Sequence, residues 1–150
     1  MATKTGRTAT YDDVNLLLRL YDMRREERMR KARQWYAGSF FPNSLEDFQK
    51  ACPPGSEENA SFRQVTSYWD MVASFITSGV LSPELFFESN RELLLVYFRL
   101  EKMLPALRES NKDPFTMRNL ETVAMQYKEW LEHRHPGSYQ AFYNRIMNIR

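Results

Sequence analysis

Cysteine is nearly absent: Cys52 is the one thiol in 150 residues. That excludes intramolecular disulfides and cysteine-rich zinc sites, and it suits a reducing cytosol. Glycine is scarce, with five residues, which argues against a turn-dense all-β fold. No apolar run approaches the ~20 residues of a membrane-spanning helix, and the opening MATKTGRTAT lacks the hydrophobic middle of a secretory signal. The chain therefore reads as cytoplasmic, with no transmembrane segment. A Gly-x-x-x-x-Gly-Lys phosphate loop, a dinucleotide fingerprint, a strand periodicity and an internal repeat are missing as well. No cofactor is expected.

What is present is apolar and aromatic. Hydrophobic residues make up 43% and aromatics 14%, enough for a core without staples in one domain. Residues 1–10 are small and polar and read as a flexible N-terminal tail, leaving 11–150 as a single helical domain.

Start and stop signals divide that domain. Asp12-Asp13 favour a helix start, and Val14, Leu17, Leu18, Tyr21, Ala32, Trp35 and Tyr36 recur at three- and four-residue spacing. This predicts one long first helix to about Gly38. Asn43 or Ser44 caps a short helix, and Ser56 opens a third that carries Phe62, Val65, Trp69, Val72 and Ile76 and ends in a left-handed cap at Gly79. Ser82-Pro83 starts a fourth, with interruptions expected at Ser89-Asn90 and Pro105. Asp113-Pro114 starts a fifth, and a last short helix carries Tyr139, Phe142, Tyr143 and Ile146. The fold class is all-α, an irregular and mostly antiparallel bundle of five or six helices.

Charge is unevenly placed. The net charge is +2, yet Arg19 to Arg33 holds seven basic and three acidic residues. Glu26 with Arg30 and Glu27 with Lys31 are four-residue helical pairs that need no function. With Val14 as zero and about 100° per residue, Tyr21 lies near −20°, Arg25 near +20°, Arg28 near −40° and Arg24 near −80°. Arg25 and Arg28 thus fall within the apolar stripe. A guanidinium facing other helices requires a carboxylate, carbonyls or a bound anion. Glu58 on the third helix and Glu101 on the fourth are the candidate carboxylates. The first reading of Arg24, Arg25, Arg28, Glu58 and Glu101 is an internal ion-pair network; two others are arginines emerging past the bundle end, and recognition of an external anion.

Other constellations are thinner. His133 and His135 lie two apart and diverge on a helix, so they do not share a metal by the i, i+4 arrangement. Glu57-Glu58 lacks the Glu-x-x-His partners of a di-metal bundle. Ser61, Ser67 and Ser74 have no base at motif distance. Trp35, Tyr36, Phe40 and Phe41 beside basic residues are compatible with gripping single-stranded nucleic acid, but they fit packing better.

LYDMRREERMRKARQWY (residues 20–36) and SEENASFRQVTSYWDMVASFITSGVLSPELFF (residues 56–87) resemble an uncharacterised family of bacterial all-helical domains of unknown function. The likeness spans Leu16 to Leu131. In that family an arginine-rich first helix precedes one with an aromatic and acidic segment, here Tyr68 to Met71, and some members place the domain behind membrane spans. The resemblance implies a helical fold and carries over no catalytic residue.

The function expected from these readings is a noncatalytic helical module that binds a protein partner or forms a homo-oligomer. The alternative is a binder of nucleic acid or another polyanion through the basic first helix.

Overall fold

A computed structural model describes residues 8–148; the expected tail at 1–10 lies mostly outside them. The described residues are all-helical, in nine helices: α1 (Tyr11–Arg25), α2 (Glu27–Ser39), α3 (Leu45–Ala51), α4 (Glu57–Thr77), α5 (Pro83–Phe87), α6 (Glu92–Leu100), α7 (Leu104–Asn111), α8 (Arg118–Arg134) and α9 (Ser138–Met147). None is long and apolar enough to cross a membrane. The longest is α4, not the first helix. It packs chiefly on α8 and α2.

Several starts fall where the sequence places them. Ser56 caps α4 by accepting from the Asn59 amide at 3.1 Å, Ser44 caps α3, and Ser82 with Pro83 opens α5. Gly79 ends α4 at φ +84°, a conformation that costs glycine little and other residues more. The stripe Phe62, Val65, Trp69, Val72 and Ile76 is buried, as are Leu93, Leu94, Leu100, Leu120 and Tyr127. Each such side chain contributes roughly 1.5–3 kcal/mol by leaving water.

The count of five or six helices is corrected by breaks. At Glu26 the backbone turns to ψ 143°, and its carboxylate accepts from the amides of Arg28 and Met29, both at 3.0 Å. These amide bonds hold the Glu26 carboxyl below the usual carboxylate range, so it stays ionised as the cap of α2. The expected continuous first helix is therefore two. Asn90 ends α5 by donating from Nδ2 to the Phe86 carbonyl at 3.0 Å, and the chain turns again before Pro105, at the start of α7. Asp113 does not open a helix: its side chain accepts from the Phe115 amide in a turn, and α8 begins at Arg118. There Asp70, reaching from α4, accepts from the Leu120 amide at 3.0 Å.

The Glu26 break resets the helical phase. The buried residues of α1 are Asp13, Leu20 and Arg24, and those of α2 are Met29, Ala32 and Tyr36. On one continuous helix these two sets would face directions roughly 130° apart. The break lets both face the core.

Candidate functional site at the outward face of α1 and the Arg24 cavity

Turning Arg24 inward turns the other side of α1 outward. Tyr11 and Leu18 are 79% and 58% exposed, and Val14 and Tyr21 are exposed as well. Arg25 joins them, its guanidinium carbon 5.3 Å from the Tyr21 ring centroid. The stripe assigned to the core from the sequence is thus a surface stripe over α1.

Arg25 and Arg28 consequently do not enter an internal network. Both are exposed, as are Glu58 and Glu101, and none of the four forms a salt bridge among the described residues. Arg28 lines an open groove of about 430 Å³ with Glu26, Glu27, Lys31 and Glu57, where carboxylates outnumber cations. Of the expected surface pairs, Glu27–Lys31 forms at 3.2 Å, whereas Glu26 is spent on the cap.

A partly buried ion pair joins two residues that spacing did not single out. Arg33 on α2 clasps Glu92 on α6 with Nε and Nη2, at 2.9 Å to each carboxylate oxygen. Its Nη1 donates to the Arg24 carbonyl at 2.9 Å, satisfying an acceptor freed where α1 stops. The pair is a quarter exposed. It pins the break to α6.

Arg24 itself is 9% exposed. Nη1 donates to Asn90 Oδ1 at 2.7 Å, and the guanidinium lies 5.2 Å from the Trp69 ring and 5.3 Å from the Tyr21 ring. Tyr68 stands beside it and donates to the Leu20 carbonyl at 2.6 Å. Burial raises the Tyr68 phenol, and the neighbouring Arg24 charge partly offsets this. Among the described residues Arg24 forms no salt bridge. It lines a cavity of about 220 Å³ with Leu17, Leu18, Tyr21, Ser89 and Asn90.

A second buried arginine was invisible to the pattern reading. Arg99, in the apolar run LLLVYFRL, is 2% exposed. Its Nη1 donates to the carbonyls of Tyr36, Ala37 and Phe40 at 2.9–3.0 Å, and Nη2 to that of Ile146 at 3.3 Å. The guanidinium lies 3.8 Å from the Phe41 ring centroid. Burial lowers its pKa from the arginine norm. The signal was there, since a lone cation amid seven apolar neighbours demands acceptors.

His133 and His135 are exposed at the end of α8. Among the described residues no group of three His, Cys, Asp or Glu side chains is placed to hold a metal ion. Cys52 is buried, and desolvation pushes its thiol up to about 11, which keeps it protonated and unreactive at neutral pH.

A family model described as Domain of unknown function (DUF4760) matches residues 9–130. The chain belongs to that family. No curated protein and no solved structure matches the chain. The DUF4760 match takes in α1, the Glu26 break, the Arg33–Glu92 clasp and every residue of the Arg24 cavity, and it stops before α9. Within it, the Tyr68–Met71 segment ties α4 to two helices: Tyr68 reaches α1, Trp69 underlies Arg24 of α1, and Asp70 caps α8.

Proposed function

We propose that this DUF4760 chain is a noncatalytic helical module that pairs with a second copy of itself through the outward face of α1. One observation carries the reading: Tyr11, Val14, Leu18 and Tyr21 are exposed at alternating spacings of three and four residues. That spacing is the seam of a two-helix coiled contact. Scattered exposed apolar residues need no explanation, but an aligned stripe of them does.

Charge favours a second copy, running antiparallel. The first turn of α1 carries Asp12 and the last carries Arg25, both exposed. An antiparallel pair sets each acidic end against the partner's basic end and opposes the helix dipoles. A seam this short buries less than the ~800 Å² per partner of a standard interface. The expected dimer is weak, with a Kd on the order of 10–100 μM. A lone buried cysteine fits a cytoplasmic setting for such a module,.

Sedimentation velocity over a concentration series tests this. The weight-average mass should rise toward that of a dimer for the parent and stay monomeric for Val14→Glu, with the same Tm for both. A parent that stays monomeric to several hundred micromolar, or a Val14→Glu protein that associates equally, overturns the reading.

The second reading, binding of nucleic acid or another polyanion, draws on the exposed Arg25, Arg28 and Arg30, which form no salt bridges among the described residues. It separates from the first by salt. Polyanion affinity falls steeply between low and moderate ionic strength, whereas an apolar seam changes little.

A further inference from the structure

We propose that the Arg24 cavity is a binding site for a carboxylate with a short apolar stem. The proposal goes beyond self-pairing and does not depend on it, but the cavity shares Leu18 and Tyr21 with the pairing face and so belongs to the unpaired chain.

A guanidinium taken out of water calls for acceptors. Arg99 shows a fuller provision in this molecule, with four carbonyls around one cation and only Nε left without a partner. Arg24 has only neutral acceptors, Asn90 Oδ1 and the Tyr68 phenol oxygen beside it, plus the faces of Trp69 and Tyr21. Glu92, on neighbouring α6, is held by Arg33 through both of its oxygens. The site therefore keeps a net positive charge beside an open cavity.

The cavity wall supplies a second donor. Ser89 Oγ accepts from Asn90 Nδ2 at 3.2 Å, which leaves the hydroxyl hydrogen free to donate. Asn90 is fixed at both ends, between Arg24 and the Phe86 carbonyl, so it holds the guanidinium in place and does not compete for the ligand. A planar carboxylate matches a guanidinium edge and adds a charge-assisted bond. A phosphate dianion would need more than one cation and more donors than these. The remaining walls, Leu17, Leu18 and Tyr21, fit carbon. At about 220 Å³ the cavity is smaller than the ~300–1,000 Å³ that hold drug-sized ligands, so the stem is a few carbons long. The same chemistry is presented by a free short-chain carboxylate and by the last residue of a peptide.

The test is a titration followed by ¹H–¹⁵N correlation spectra on the full chain. The Trp69 indole N–H is a built-in reporter: it is buried with no hydrogen-bond partner, in a ring 5.2 Å from the Arg24 guanidinium. Sodium butyrate should shift it saturably in the millimolar range, and butyramide at least tenfold more weakly. Arg24→Met should abolish the effect, and Ser89→Ala, at an exposed position, should weaken it about threefold to tenfold. Should Arg24→Met not fold, Ser89→Ala and the amide comparison decide.

An acetylated dipeptide with a free C-terminus, set against its C-terminal amide, distinguishes the two sources. Tighter binding than butyrate assigns a peptide terminus, and weaker binding assigns a free carboxylate. The proposal is overturned if butyrate gives no saturable shift, if butyramide or inorganic phosphate binds as tightly, or if the Arg24→Met protein still binds. Repeating the titration in Val14→Glu, with both proteins dilute enough to stay monomeric, should give the same affinity, which separates this outcome from the fate of the self-pairing reading.

Discussion

Among the described residues two arginines, Arg24 and Arg99, are buried without a carboxylate, and they are buried for different ends. Arg99 is committed to the fold, with four carbonyl contacts and only Nε left unmet. Its Nη1 meets the last carbonyls of α2, a helix with no basic residue in its own last turn, and its Nη2 reaches α9. Arg24 is less fully used, held by the Asn90 amide oxygen, the neighbouring Tyr68 phenol and two rings at the edge of a cavity. The difference teaches that burial of a charge does not by itself indicate a structural or a binding role. What decides is how many of its donors are already met.

That contrast is sharpest in stability. Arg99→Met removes one cation and strands several carbonyls in the interior, each costing about 1–3 kcal/mol when left unmet. A loss of at least about 3 kcal/mol is expected, read as a lower urea midpoint with unchanged slope. A loss under about 1 kcal/mol would mean that water takes over the carbonyls and that Arg99 is no clamp. Arg24→Met should cost less, about 1–2 kcal/mol, because it frees one Asn90 oxygen and two ring contacts and leaves no acid stranded. Equal losses at the two positions would erase the distinction, and with it the idea that Arg24 has donors in reserve.

Much of the fold was legible, and the misses share a cause. Caps are local: Ser44, Ser56 and Ser82-Pro83 mark helix starts because the side chain bonds an amide three residues on, and Gly79 marks a stop because of its own φ. Those positions read correctly from neighbours alone. The Glu26 break did not, because nothing in RREERMRK opposes a helix; the break is favoured by Arg33 and Glu92, which meet across 59 residues. Periodicity then joined two faces that belong to different helices. Val14, Leu18 and Tyr21 were assigned inward on the strength of Ala32 and Tyr36, and Arg25 and Arg28 followed them. Arg24, near −80° and away from the middle of the stripe, is the residue that turns in,. The Asp113-Pro114 start failed for a similar reason, since Asp70 on α4 supplies the acceptor at α8. Asn90 was read correctly as a break, but its bond to Arg24 spans 66 residues, beyond any local rule.

The smallest expected effect tests the phase reset directly. On one unbroken helix, Arg25 lies in the core stripe, and Arg25→Met would strand a buried acid at a cost of about 3 kcal/mol or more. With the break, Arg25 sits in water beside Tyr21, and surface substitutions of this kind stay within about 0.5 kcal/mol. The measurement belongs at low protein concentration, because methionine extends the apolar stripe of Tyr11, Val14, Leu18 and Tyr21 and would strengthen any pairing of α1 with a second copy. An unchanged urea midpoint under dilute conditions, together with tighter self-association at high concentration, is the joint signature of an outward-facing Arg25. A midpoint lowered by the larger amount would instead return Arg25 to the interior and undo the assignment of Arg24 as the residue that α1 buries.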